Sequence, residues 1–253
     1  TDGPSTRRKW LDWGAFHVEP LYFTNAWQQY NRALWQRNAI LRKERAPLVT
    51  RASNAKHKIY CQMKPFDLLM SEYAAIVNQV RHDYYQDLSD QFKMFVSETI
   101  SSVYDIIIEY YPGWKSWEQD SLLQALYANL SQDLHRGYTY AGAHRADLRF
   151  KIKDEDAAKI LSRGQQKALI YALNIAQGYI LQQKTSKASI YLLDDMSSEL
   201  DQDHLAMVMK LLNKLEAQVL ISGIYWDSQL KRLFQGFDYK RFYIERGNIS
   251  EVV

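Results

Sequence analysis

This sequence lacks three things: cysteine pairs, long apolar runs and a phosphate-binding glycine loop. Cys61 is the single cysteine in 253 residues, so no internal disulfide can form and a reducing compartment suits the chain. Its longest apolar stretches, YDIII (104–108) and VLI (219–221), are far too short to cross a bilayer, which removes the membrane as a partner. The opening TDGPSTRRKW has no apolar h-region, so it does not read as a signal peptide. It also has no initiator methionine. The expectation is a cytoplasmic chain that begins partway through a longer product. No G-x-x-x-x-G-K-[ST] loop occurs anywhere, so the chain carries no P-loop grip on a nucleotide.

What is present is a globular composition, 47% hydrophobic and 24% charged, long enough for one large domain or two modest ones. The net charge of +3 is unevenly spread. Residues 1–60 hold 11 Lys/Arg against 4 Asp/Glu, and the remainder holds 21 against 25. An anionic partner for the first segment accounts for this, and so does a plain solvated helix face.

Pattern divides the chain in two. TRRKWLDWGAFH predicts a short helix, and a long helix follows Pro20, from about residue 21 to 45. Trp27, Tyr30, Leu34 and Leu41 form its expected apolar stripe, with Arg32, Arg37, Arg42, Lys43 and Arg45 facing solvent. RASNAKHK (51–58) reads as a turn. A second long helix is expected from Pro65 to about Ser101, with Leu69, Tyr73, Ile76, Val80 and Tyr84 inward and an acidic outer face. A basic helix followed by an acidic one suits an antiparallel hairpin. From Val103 onward strands and helices alternate: strands at 103–111, 138–142, 147–153, 189–193, 218–222 and 241–247, with helices at about 116–134, 163–183, 202–215 and 226–235. The expected division is a mostly helical arm, 1–135, and an α/β unit, 136–253.

Two stretches carry chemistry. In LSRGQQKAL, Ser162 and Gln165 form a capping box, in which each side chain satisfies the other's backbone N–H. Gly164 removes a side chain where N–H groups lie unpaired, and Arg163 adds a cation beside the positive end of the helix. Those two details favour an external anion at this turn. In IYLLDDMSSELD (190–201) a buried strand delivers Asp194 and Asp195 at its C-terminal edge, where ligands of open α/β sheets gather. One carboxylate there can hold Mg²⁺ and the other can orient a water for attack on a phosphoryl group. A ligand-free Asp-Asp turn is the plain alternative.

Together the LSRGQ turn, the LLDD strand end and the SSELD loop resemble an ABC-type ATPase of the RecF family. RRKWLDWGAFHVEP, WQQYNRALWQRNAIL and YTYAGAHRADL resemble further segments of that family, so the likeness runs along essentially the whole chain. It implies a partial ABC-type ATPase head, a sheet with flanking helices, plus an antiparallel helical arm. In this family two protomers sandwich two ATP molecules, each P-loop working with the other protomer's signature serine. The resemblance therefore implies that Ser162, Arg163, Gly164 and Gln165 serve a nucleotide held by a partner's P-loop. Asp194 would hold Mg²⁺, Asp195 would position the water, and Ser198, Glu199, Leu200 and Asp201 would line the seam. It further implies an ATP-dependent DNA-binding protein of replication and gap repair, a slow DNA-dependent ATPase that closes on duplex near single-strand gaps. Its partners would be RecR and RecO, which help load RecA.

The match has departures. Ala143 stands where the family has proline, and Ser222-Gly223 follows the QVLIS strand where many ABC ATPases place a switch histidine, so no γ-phosphate sensor is assigned. His144 and Arg145 are either functional or a polar strand end. The basic row of the first long helix is expected to touch DNA phosphates. The competing reading is a non-catalytic module whose hairpin binds DNA or protein and whose ATPase remnants only support the fold.

Overall fold

Prolines begin the first two helices, where a missing N–H costs nothing. They are α1 (Pro4–Val18) and α2 (Pro20–Lys43). The computed structural model describes residues 3–45, 53–99, 105–114, 122–215, 217–224, 226 and 228–252. Of the turn expected at 51–58, residues 53–58 belong instead to α3 (Ser53–Thr99), a helix of 47 residues and about 70 Å. Pro65 lies inside it rather than at its start. A proline removes a single ladder bond, and packing along the flanking turns outweighs that loss.

α2 and α3 form the expected antiparallel hairpin, Arg37 meeting Asp67 near its far end. Its seam differs from the expected stripes. On α2 the buried positions are Phe23, Ala26, Tyr30, Ala33, Arg37 and Leu41, and on α3 they include Met63, Asp67, Met70, Ala74, Val77, Arg81, Tyr84 and Leu88. Steps of three and four, alternating except from Arg37 to Leu41, give a period close to 3.5 residues, the signature of knobs-into-holes packing. Trp27, Leu69 and Ile76 are exposed instead. Each predicted stripe is turned about one residue from the real one.

β1 (Ile106–Tyr111) pairs antiparallel with β2 (Asp147–Ile152), which in turn pairs with β3 (Glu155–Asp156). Between β1 and β2 run α4 (Leu122–Arg136) and a 3-10 turn, Ala143–Arg145. No strand forms at 138–142. The Thr139 N–H goes to Asn38 Oδ1 at 2.8 Å and the Tyr140 N–H to Asp133 Oδ1 at 3.0 Å, so side chains satisfy this backbone where a strand would have. Gly142 has φ +142°, and a Cβ there would run into the Tyr30 hydroxyl.

The second half is α5 (Ala157–Ile160), α6 (Arg163–Thr185), β4 (Tyr191–Leu193), α7 (Met196–Glu199), α8 (Gln202–Asn213) and β5 (Val219–Ile221). β4 and β5 are parallel, with Leu192 opposite Leu220. α9 (Ser228–Leu233) precedes a hairpin of β6 (Arg241–Glu245) and β7 (Asn248–Val252). The sequence pattern suggested only the first of these two strands. Arg246 and Gly247 turn between them with φ of 50° and 83°, both positive, as a tight two-residue hairpin turn requires.

One apolar cluster extends from Leu11 on α1 through Tyr84, Leu148 and Leu173 to Leu212, crossing the expected boundary at 135/136. A second, small cluster of Leu41, Ile59, Met63 and Leu134 closes the hairpin against α4. Parallel strands are ordinarily covered on both faces. Here Ile190, Leu192 (76% exposed), Leu220 and Ile224 lie open, as do Phe242, Ile244 and Ile249 of the last hairpin. No helix of the described residues is long and apolar enough to cross a membrane.

Candidate functional site

Ser162 caps α6. Its Oγ accepts the Gln165 N–H at 3.2 Å and Gln165 Oε1 accepts the Ser162 N–H at 2.9 Å, closing the capping box. The box consumes one first-turn donor. Helix geometry leaves the N–H groups of Arg163 and Gly164 without intrahelical acceptors. Ser162 and Arg163 are exposed, at the positive end of a helix of 23 residues. Gln166 fixes the approach to the turn, its Nε2 donating to the carbonyls of Ala158 and Leu161 at 2.9 Å each.

A Cβ added at Gly164 would meet one atom, Asp201 Oδ2, at 3.9 Å. The glycine turn and the 198–201 loop therefore share one ridge, and a second link, Lys167 Nζ to Glu199 Oε1 at 3.1 Å, holds them together. Leu200 is buried beneath the ridge, while the Ser198 side chain lies outside the described residues. Asp201 caps α8, accepting the His204 N–H at 3.0 Å. Hydrogen bonds from the His204 backbone and ring hold the Asp201 carboxyl below its usual range.

Asp194 and Asp195 follow β4, the first exposed and the second half-buried. Asp195 has φ 44° and ψ 40°, a left-handed conformation that costs a non-glycine residue energy and is found enriched at functional sites. Ser222, at the end of β5, joins the pair: its hydroxyl donates to Asp194 Oδ1 and accepts the Asp195 N–H. Ser222 stands where sequence comparison within the wider ATPase group looks for a histidine, and only the parallel pairing of β4 with β5 reveals its contact. Tyr171, two turns along α6, has its hydroxyl pushed up by burial and further by Glu199 and Asp194, so this helix flanks both acidic groups. No cluster of three or more His, Cys, Asp or Glu able to hold a metal occurs among the described residues. A divalent ion at Asp194 would draw its other ligands from phosphate and water.

The cations of α2 and of the residues just after it divide. Arg32, Arg42, Lys43 and Arg45 are exposed, but Arg37 is fully buried, which corrects the expected solvent-facing row. Arg37 falls on the seam, one heptad after Tyr30. Its Nε donates to Asp67 Oδ1 at 2.6 Å, and its Nη1 donates to Asp133 Oδ2 and Thr139 Oγ1, each at 2.8 Å. Burial pushes both carboxyls up, and Arg37 draws them partly back. Arg81 is likewise interior, bound to both Asp12 oxygens at 2.7 and 3.0 Å and to the Ala143 carbonyl at 2.7 Å.

His144 and Arg145 also part company. His144 Nε2 faces the Thr139 carbonyl at 3.1 Å, which can only accept, so Nδ1 is the acceptor for the Tyr30 O–H at 2.7 Å. Burial takes the imidazole down to about 4, and at neutral pH it is an uncharged structural group. Arg145 is exposed, with its guanidinium over the rings of Tyr138 and Tyr140.

No family model matches the chain. Among curated proteins, the DNA replication and repair protein RecF of Coxiella burnetii (strain Dugway 5J108-111) is 41% identical over 223 residues, covering 88% of this chain and 58% of its own length. RecF of Shewanella baltica (strain OS185) is 35% identical over 251 residues, covering 99% of this chain and 65% of its own length. The chain thus spans about three fifths of the length of these relatives. Two solved structures of the recombination mediator protein RecF in the RecFOR pathway, RecF-ATPrS and RecF-ATP, superpose with TM-scores of 0.75 and 0.74 at 25% identity. Each match takes in all of this chain and 64% of the other. In sequence and in fold alike, the chain belongs to the RecF family, as the C-terminal portion of such a protein.

Proposed function

We propose that this chain supplies one half of a composite ATP site in a RecF-type protein of DNA replication and gap repair. Ser162, Arg163, Gly164 and Gln165 serve the γ-phosphate of a nucleotide held by another protomer's P-loop. Glu199, Leu200, Asp201 and Ser198 form the seam against that protomer. Asp194 binds Mg²⁺, and Asp195 orients the attacking water. Bound ATP, with its metal, supplies the phosphoryl group. Binding joins two protomers on DNA in the cytoplasm, with RecR and RecO as partners that assist RecA loading. Slow hydrolysis releases the dimer.

One observation carries this reading. The open first turn of α6 lies on the same exposed ridge as the 199–201 loop. An arginine at the positive end of a helix is electrostatically unfavourable until an anion arrives. The uncovered apolar faces of β4 and β5 support it further, since parallel strands are ordinarily covered on both faces and another segment or protomer would supply that cover.

The test is Ser162→Arg in a protein that joins this chain to a P-loop segment. ATP binding measured by titration should persist while ATP-dependent dimerisation, read by light scattering, is lost. Loss of ATP binding with dimerisation intact would overturn the trans role. Asp195→Asn should prolong the ATP-bound dimer, whereas Asp194→Asn should weaken Mg²⁺-dependent binding and turnover together.

A further inference from the structure

The segment after α4 presents its side chains alternately. Thr139 points inward, tied to Asn38, Arg37 and His144, while Tyr138 and Tyr140 are exposed. Two arginines attend these rings. Arg136 lies over Tyr140 at 4.5 Å from the ring centre, and Arg145 lies 5.5 Å from Tyr138 and 6.0 Å from Tyr140. On the neighbouring strands Arg149 lies 4.9 Å over Tyr111, whose hydroxyl also feels Tyr140, so the two arginine–tyrosine groups adjoin. On the other side Arg42 of α2 and Arg45 just beyond it flank Gly137, with Arg45 Cδ 3.3 Å from where a Cβ would stand.

The charge on this face is not internally neutralised. Among the described residues Arg42 and Arg145 are exposed and form no salt bridge, whereas Arg136 is half-buried and acts on the Asp133 carboxyl. Arg149 has Asp147 at 4.0 Å, and that carboxylate is already bonded to Arg7. Cations without partners suit a phosphate chain, and exposed rings backed by guanidinium groups suit unpaired bases. A duplex offers its phosphates but keeps its base faces stacked inside, so it would leave both tyrosines unused. The backbone beneath is held by side-chain hydrogen bonds, so the rings are presented without an ordering cost on binding.

From this we infer that the face formed by Tyr138, Tyr140, Arg145 and Arg149, flanked by Arg42 and Arg45, binds single-stranded DNA, stacking bases on the tyrosines and pairing phosphates with the arginines. The inference rests on the DNA-binding part of the function proposed above but on different residues from its ATP site. Contacts of this type are tolerant of sequence and fall steeply with salt.

The test measures fluorescence anisotropy of a labelled oligo-dT and of a hairpin duplex on the full chain. Tyr138→Ala with Tyr140→Ala should weaken oligo-dT binding by about fivefold to a hundredfold per stacked base and leave the duplex within about twofold. Tyr138→Phe with Tyr140→Phe should bind as the parent does, since the ring and not the hydroxyl is used. Arg145→Gln with Arg149→Gln should lower the oligo-dT salt slope by roughly 1.4, at about 0.7 per phosphate contact. Equal weakening of both DNAs by the alanine pair would overturn stacking, and no change in either would overturn the surface. Competition by an acidic peptide as effective as oligo-dT would assign the face to a protein partner instead and overturn the inference. Failure of the ATP-site reading shows separately, as normal dimerisation of Ser162→Arg with oligo-dT binding unaffected.

Discussion

Arg37→Met tests how the hairpin is held. The substitution keeps an unbranched apolar stem and removes the guanidinium, leaving Asp67 and Asp133 buried with no cation between them. Removing one partner of a buried charged group costs about 3–5 kcal/mol, because the remaining charge stays desolvated. For a chain of this size that corresponds to a fall in melting temperature of roughly 6–20 °C. An exposed phosphate-contacting arginine would instead change stability by less than about 0.5 kcal/mol.

The pH dependence identifies the mechanism. Burial already raises both carboxyls and Arg37 opposes it, so removing the arginine raises them further. An acid whose folded value exceeds its unfolded one stabilises the fold below the unfolded value and loses that contribution as pH rises through the folded one. The deficit of Arg37→Met should therefore be smaller at about pH 4.5 than at about pH 7.5, and nearly independent of salt because the groups are buried. Thermal unfolding followed by circular dichroism at both pH values is the assay. Adding Asp67→Leu and Asp133→Leu should recover most of the loss, since apolar replacement of a whole buried ionic group is often neutral. A deficit below about 1 kcal/mol, or one equal at both pH values, would refute the reasoning.

His144 is neutral in the fold at about 4 against an ordinary 6.5, so the unfolded chain takes up a proton first as pH falls. Stability should drop by roughly 3 kcal/mol between pH 6.5 and 4, opposite in sign to the carboxyl effect, and His144→Gln should flatten that part of the denaturation–pH profile. Asp195→Gly relieves a left-handed backbone, so it should raise the urea midpoint by the equivalent of about 1 kcal/mol while abolishing any ATP turnover of the assembled protein. Gly142→Ala forces a Cβ against the Tyr30 hydroxyl at a φ of +142°, and a loss of at least about 1–3 kcal/mol is expected in the same assay.

Local signals were legible and long-range ones were not. Ser162 and Gln165 are three residues apart, and both their roles in the capping box follow from that spacing. α6, α8 and the Asp194–Asp195 strand end carry their periodicity and flanking turns within one window, and each appears where the pattern placed it. The hairpin seam failed because its positions are held by Ala26, Ala33, Arg37, Ala74 and Arg81, residues that pattern reading ranks as small or surface. Arg37 is an interior residue only because Asp67 and Asp133 lie 30 and 96 positions away, and Arg81 only because Asp12 lies 69 positions away. Tyr138-Thr139-Tyr140 has strand-like alternation in its burial, but the N–H groups of Thr139 and Tyr140 are answered by side chains. The signal that could have marked it as a surface was the arginine on either side, Arg136 and Arg145.

The buried arginines converge on one stretch of chain. Thr139 is fastened by Arg37 and Asn38, Ala143 by Arg81, His144 by Tyr30, Ala146 by Arg8 and Asp147 by Arg7. Every one of these partners lies on α1, α2 or α3, so residues 139–147 are bolted to the helical arm, although the same stretch leads directly into β2. β2 in turn pairs with β3, α5 follows it at once, and Gln166 ties α5 to the first turn of α6. Spatial continuity alone does not couple two sites, but it decides which elements must move together. A tilt of the hairpin that left residues 139–147 behind would break the hydrogen bonds of two buried guanidinium groups, Arg37 to Thr139 and Arg81 to the Ala143 carbonyl, at about 1.5–3 kcal/mol each. A tilt that carried them along would break none. The lower-energy course is for arm, tyrosine-bearing loop and β2 to move as one body, and α6 belongs to that body too, since Trp10 Nε1 donates to Asn174 Oδ1 at 2.8 Å, Lys184 meets Asp87 at 2.9 Å and one apolar cluster joins α1, α3 and α6.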